Sequence, residues 1–181
     1  MKNRAVIVVV AVAVLIVAAL IVWRMRRPTI SNEIDLVTQF DQAEKRPTAE
    51  SFGVLNVSMD GRERRSILAR PSSRLIYSIT VPRDAWLETS FGMRPESWDK
   101  PGDGAQFRIG VSEGRTYEEL LRQYVNPKRG DRQWFTARLD LSAYEGRTVK
   151  VILNTDPGPP GDSDATNDEA VWGAPRVFSQ R

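Results

Sequence analysis

From residue 52 onward apolar and polar residues alternate with a period of two, and no other feature limits the fold so strongly. Leu75, Tyr77, Ile79 and Val81 fall on one side of "RLIYSITV". In "AWLETSF", Leu87, Thr89 and Phe91 stand opposite Trp86, Glu88 and Ser90. Phe107, Ile109 and Val111 alternate with Gln106, Arg108 and Gly110. Phe135, Ala137, Leu139 and Leu141 alternate with Trp134, Thr136, Arg138 and Asp140, and Val149, Val151 and Leu153 share a side. Successive side chains of a strand point to opposite faces, so each stretch offers one face to a core and one to water. "GVLNVSM" (53–59) and "SILAR" (66–70) read the same way. Asp60-Gly61, Pro82-Arg83-Asp84, Pro101-Gly102-Asp103-Gly104 and Glu145-Gly146 mark the turns. Short strands at this spacing predict an all-β, two-sheet antiparallel sandwich, without the crossover helices of a parallel α/β sheet.

One stretch breaks the alternation. In "TYEELLRQYV", Thr116 can cap a helix whose face carries Tyr117, Leu120, Leu121 and Tyr124, and Glu119 completes a capping box. The expectation is one short internal helix. Residues 28–51 read as a linker with a short juxtamembrane helix, capped by Ser31, stopped by Pro47, and apolar along Ile34, Leu36, Val37 and Phe40. That helix either spaces the domain from a membrane or pairs with a partner. The sandwich domain is then 52–181.

Residues 1–27 are different in kind. Ala5 to Trp23 is an unbroken run of nineteen Ala, Val, Leu, Ile and Trp residues. As a helix it measures about 28 Å, close to the hydrocarbon thickness of a bilayer. Trp23, Arg24, Arg26 and Arg27 follow as an interfacial anchor. A cleaved signal peptide has a shorter apolar run and a small-x-small cleavage site. The segment therefore reads as an uncleaved transmembrane anchor that meets the lipid bilayer through residues 5–23. Cations flank it almost evenly, so charge alone leaves its orientation open.

The formal charge of +3 comes from this segment. Removing its five cations leaves 21 Lys and Arg against 23 acids. A slightly acidic domain lacks the electrostatic footprint for nucleic acid. The chain has no cysteine and no histidine. Disulfides, thiolate or imidazole metal sites, and Ser-His or Cys-His catalysis are excluded. The spaced glycines of "GDGAQFRIG" precede a strand rather than open a helix, so they form no dinucleotide loop. "RERR" (62–65) and "KRGDR" (128–132) read as solvated charge.

In order, "DGAQFRIGVSEG", "YEELLRQYVNP", "WFTARLDLSAYEGRTVKVILNTDPGP" and "WGAPRV" resemble jelly-roll sandwiches of the galactose-binding-like type, including carbohydrate-binding-module-like domains, over roughly residues 66–178. The most specific part runs from Trp134 through Asp140-Leu141-Ser142, Tyr144 and Gly146 to Val149. The residues make physical sense unaided: Leu141 turns inward, Asp140 and Ser142 bond back to the turn, Tyr144 covers the corner with its hydroxyl on a backbone partner, and Gly146 supplies positive φ. Such modules are often attached to bacterial membrane proteins or extracytoplasmic enzymes. The resemblance therefore implies a domain outside the cell, periplasmic or on the surface, with the N-terminus inside.

Sugar recognition needs flat aromatic faces beside Arg, Asp, Asn or Gln. Trp86, Trp98 and Trp134, with Arg108 and Arg138, are the candidate ligand-binding residues; the alternative is that these tryptophans lid the core edge and the arginines pack over apolar surface. The resemblance also allows a structural calcium ion. Asp156, Asp162, Asp164, Asp168 and Glu169 could supply its oxygens, although "DSDATNDE" lacks the EF-hand pattern. Otherwise this acidic loop is a solvated connection that carries Trp172 to the sandwich. Glu88, Glu96, Asp99 and Asp103 are too ordinary to indicate glycosidic cleavage. The chain reads as a membrane-anchored, non-catalytic binding module for glycan or another envelope ligand, or else as an assembly subunit docked on a larger membrane complex.

Overall fold

A computed structural model describes residues 30–180. The apolar run 5–23 lies outside them. No helix among the described residues is long and apolar enough to cross a membrane.

Eleven strands make up the described chain: β1 (Ile30–Asp35), β2 (Glu44–Arg46), β3 (Phe52–Met59), β4 (Arg62–Ala69), β5 (Ser73–Thr80), β6 (Ala85–Met93), β7 (Ala105–Glu113), β8 (Thr116–Val125), β9 (Phe135–Asp140), β10 (Thr148–Pro157) and β11 (Ala170–Gln180). They pair into a six-stranded sheet, β3-β4-β11-β6-β9 with β1 on β11, and a five-stranded sheet, β2-β5-β10-β7-β8. The early half of β11 pairs with β4 and the late half with β1, while β6 follows β11 on its other edge. Every pairing is antiparallel. This is the expected two-sheet sandwich.

The alternating residues meet between the sheets as the sequence predicts. Leu75, Tyr77, Ile79, Phe107, Ile109, Val111, Val149, Val151 and Leu153 face Ile67, Leu87, Phe91, Ala137 and Val177 in one buried cluster. Trp172 is fully buried at its centre, with ring centroids 5.0 Å from Phe107 and 5.7 Å from Phe91. Its indole N–H donates to Thr155 Oγ1 at 3.2 Å, which satisfies its one polar atom. Asp60 and Gly61 both have positive φ, as a tight hairpin turn requires.

The structure corrects three expectations. The described part of the stretch 28–51 supplies β1 and β2 rather than a helical linker. The exposed edges of β11 and β5 offer unpaired backbone groups, and pairing satisfies more of them than a short isolated helix would. Leu36 and Val37 are buried, the Leu36 N–H donates to the Pro175 carbonyl, and the Tyr77 hydroxyl donates to the Leu36 carbonyl at 2.9 Å. The sandwich therefore starts well before residue 52. Second, Thr116–Val125 is a strand, not a helix. Gly114 turns the chain at φ +61°, β8 returns along β7, and a bulge at Ile109/Gly110 absorbs one extra residue. Glu119 joins ion pairs with Arg108 and Arg122 instead of a capping box. Third, the Tyr144 hydroxyl bonds the Glu118 carboxylate rather than the backbone. Burial, then that carboxylate, pushes it up to about 12.

Candidate functional site

Strand register places one row of small residues across the outer face of the larger sheet. Ser66 on β4 lies beside Gly173 on β11, Gly173 beside Ser90 on β6, and Ser90 beside Thr136 on β9. Larger side chains rise on both sides, so Gly173, Ser90 and Thr136 of this row become the floor of a cleft of about 300 Å³.

Val57, Met59, Leu68, Trp134 and Val171 form a second buried cluster outside the main core. Trp134 is only 8% exposed, and its indole N–H donates to the Arg62 carbonyl at 3.0 Å. A Cβ on Gly173 would stand 2.8 Å from the Trp134 ring and 3.0 Å from Arg64 Cδ. Glycine is therefore what lets the indole and Arg64 close over the floor. The Arg64 Nε is buried without a partner. Such a donor is unfavourable unless something occupies the cleft to accept from it.

The cleft walls are charged, lined by Glu33, Asp35, Arg64, Arg65, Glu88 and Arg176. Arg176, Glu88 and Arg138 stand in register across β11, β6 and β9. Arg176 bridges Glu88 at 2.8 Å and Glu33 at 3.4 Å. Arg138 lies over the Trp86 ring at 4.7 Å and the Phe178 ring at 5.4 Å. On the floor the Ser90 and Thr136 hydroxyls are 3.1 Å apart. Hydroxyl pairs, guanidiniums and carboxylates suit a ligand with many hydroxyls.

The expected site residues divide between locations. Trp86, Trp134 and Arg138 lie on the cleft-bearing face. Trp98 packs at its apolar end, where its N–H donates to the Met93 carbonyl at 2.7 Å. Trp134 was expected to face water; its outward position is right, but the second cluster covers it. Arg108 is on the opposite face of the molecule, held by Asp156 at 2.7 Å and Glu119 at 3.3 Å. The floor residues and Arg64 were missed. No local pattern marks them, because only register joins them; "RERR", read as solvated charge, contains Arg64. Of the carboxylates weighed for glycosidic cleavage, Glu88, Glu96 and Asp99 each pair with an arginine.

The acidic loop also divides. Asp156 pairs with Arg108 and Glu169 with Arg94, each away from the others. Asp162 and Asp164 accept backbone N–H groups of their own turns. No three acidic side chains converge as a metal-holding group among the described residues. Asp168 is 3% exposed, accepts the Gly104 N–H at 3.2 Å, and keeps its second oxygen buried and unpartnered. Asp103, absent from the expected set, also buries an unpartnered oxygen. Burial first, opposed by the Gly104 bond and reinforced by Asp103, Asp164 and Asp162, pushes the Asp168 carboxyl up to about 7.

No protein-family model matches the chain. An uncharacterized protein of Archaeoglobus fulgidus is 35% identical over 118 residues, 64% of this chain; the match spans 28% of that protein. Among solved structures, the CBM51 of Clostridium perfringens GH95, in complex with methyl-galactose, aligns with TM-score 0.52 and 13% identity over 81% of this chain and 99% of that one. A structure of the CBM51-2 and INT domains of Clostridium perfringens ZmpB aligns with TM-score 0.52 and 13% identity, over 86% of this chain and 30% of its own. The described chain shares the two-sheet β-sandwich fold of these carbohydrate-binding modules.

Proposed function

We propose that this chain is a non-catalytic glycan-binding module, anchored in a membrane by residues 5–23 and presenting its sandwich outside the cell. The observation that carries the reading is the cleft floored by Gly173, Ser90 and Thr136, with an unsatisfied Arg64 donor in its wall. Its volume of about 300 Å³ is at the small end of ligand sites, the scale of one or two sugar units. Ring hydroxyls would exchange hydrogen bonds with Ser90, Thr136, Arg64 and Glu88. The kinship in fold with modules solved with bound sugars supports the same chemistry. An assembly subunit would instead offer a broad apolar patch. Among the described residues the exposed large hydrophobics are Val54 and Tyr117 alone, on different sheets.

A glycan array probed with the full chain in detergent tests the binding. Neutral oligosaccharide should be retained, and Thr136→Val, which deletes one exposed hydroxyl but keeps strand shape, should weaken retention without lowering the melting temperature. Retention of no sugar would overturn the reading. Protease added to intact cells tests the placement: the sandwich should be digested from outside.

A structural cation belongs to the proposal in a revised form. Asp103 and Asp168 fit one, because two buried carboxylate oxygens without partners are what a hard cation stabilises. Bound there, it would tie the loop before β7 to the loop before β11.

A further inference from the structure

The outer face of the smaller sheet carries a different row. Arg46 on β2 lies beside Arg74 on β5, Arg74 beside Asn154 on β10, Asn154 beside Arg108 on β7, and Arg108 beside Arg122 on β8. Four arginines and one asparagine thus cross all five strands. Like charges side by side on a sheet repel, so each needs a counter-charge. Arg46 has Glu44, Arg108 has Asp156 and Glu119, and Arg122 has Glu119. Arg74 has no carboxylate among the described residues. Its Nε donates to Asn154 Oδ1 at 2.7 Å, which fixes the guanidinium while leaving its charge unmatched.

Arg74 lines a cleft of about 230 Å³ with Arg46, Ser72, Ser73, Asn154 and Asp156. Asn154 is 2% exposed, and the Ser73 hydroxyl is buried without a partner. A polar pocket beside an uncompensated guanidinium suits an anion. Asp156 in the same lining narrows the choice: it repels a phosphate or sulfate dianion, yet accepts from hydroxyls. A planar monoanion flanked by hydroxyls satisfies both.

We infer that this cleft is a second saccharide site, specific for an acidic sugar whose carboxylate sits on Arg74 and Arg46 and whose hydroxyls meet Asn154 and Asp156. The inference deepens the glycan reading by adding a subsite on the face opposite the neutral-sugar cleft, and the two fail separately.

The test uses the full chain in detergent and immobilised oligogalacturonate, with the same oligomer after reduction of its carboxyls to alcohols. The acidic oligomer should bind at least about tenfold more tightly than the reduced one, the scale of one charge-assisted pair. Arg74→Gln, on an exposed side chain, should abolish that difference at an unchanged melting temperature, and Arg74→Lys should restore part of it. Thr136→Val should leave acidic binding untouched, while Arg74→Gln leaves neutral glycan binding untouched. Equal binding of both oligomers, indifference to Arg74→Gln, or displacement of the oligomer by inorganic phosphate at equal concentration would each overturn the inference. Loss of neutral binding alone would count only against the first cleft.

Discussion

The two outer faces of the sandwich obey the same alternation and end in opposite chemistry. On the six-stranded sheet the outward positions include Val57, Met59, Leu68, Trp134 and Val171, which cover one another and make a second dry cluster. On the five-stranded sheet the outward positions hold Arg46, Arg74, Arg108 and Arg122, and all but Arg74 pair with carboxylates. A period of two decides which way a side chain points; whether that side is wet depends on which neighbours register brings beside it. Fold information lies in the period, and site information lies in the register.

The largest expected effect measures how dry the first face is. Trp134→Ala removes a buried indole and its hydrogen bond, and should cost about 3–5 kcal/mol of stability, as large-to-small substitutions do in a core. Urea denaturation followed by circular dichroism reads it. If the loss is no greater than that from Arg108→Ala on the other face, the second cluster is not a core and the contrast fails.

Much of the fold was legible for this reason, and most of the site was not. Leu75, Tyr77, Ile79, Phe107, Val151 and their neighbours announced themselves by spacing, and Asp60-Gly61 and Gly146 by turn chemistry. Gly173, Ser90 and Thr136 are far apart in the chain and individually unremarkable; only pairing makes them a floor. Residues 116–125 satisfied a helical pattern, yet the free edge of β7 outcompeted it, since local propensity is weaker than a sheet's backbone bonds. Residues 30–46 were misread likewise, because nothing local shows that β11 and β5 have open edges. Asp168 belongs to the expected metal set, but its half-buried neighbour Asp103 lies in a different loop.

The second effect sits at the junction of the two sheets. Ionised Asp168 is penalised by burial, so the folded state holds its proton up to about pH 7, above the ordinary value of 3.8. Between those values the folded chain binds more protons than the unfolded chain, and stability must fall as pH rises. The fall should reach about 2–3 kcal/mol between pH 5 and 8 in chelator. Asp168→Asn should flatten the profile. Calcium should restore stability at the alkaline end, where the ionised pair can hold it, and leave the acid end unchanged; a profile indifferent to calcium would remove the cation.

A matched pair of glycine substitutions sharpens the contrast at smaller amplitude. A Cβ on Gly173 meets the buried Trp134 ring, which has nowhere to move, so Gly173→Ala should cost about 1–3 kcal/mol and block the cleft. A Cβ on Gly110 meets the ring of Tyr117, which is 49% exposed and can swing into solvent. Gly110→Ala should therefore cost under about 1 kcal/mol. Equal costs would mean that both faces are equally close-packed.

The smallest effect probes the wet face itself. Arg108 and Glu119 are part-buried, and Arg122 first, then Arg108, holds the Glu119 carboxyl below its usual range. Asp156 also competes for the same guanidinium, so removing Glu119 leaves Arg108 partly compensated. A double-mutant cycle of Arg108→Ala and Glu119→Ala should give a coupling of about 0.5–1 kcal/mol in dilute buffer. Molar salt, with a screening length of about 3 Å, should reduce it. The same salt should leave the Trp134→Ala loss undiminished, because dispersion and burial carry no charge to screen. A coupling that survived salt unchanged would place these charges in a low-dielectric interior, and the five-stranded face would then be as dry as its counterpart.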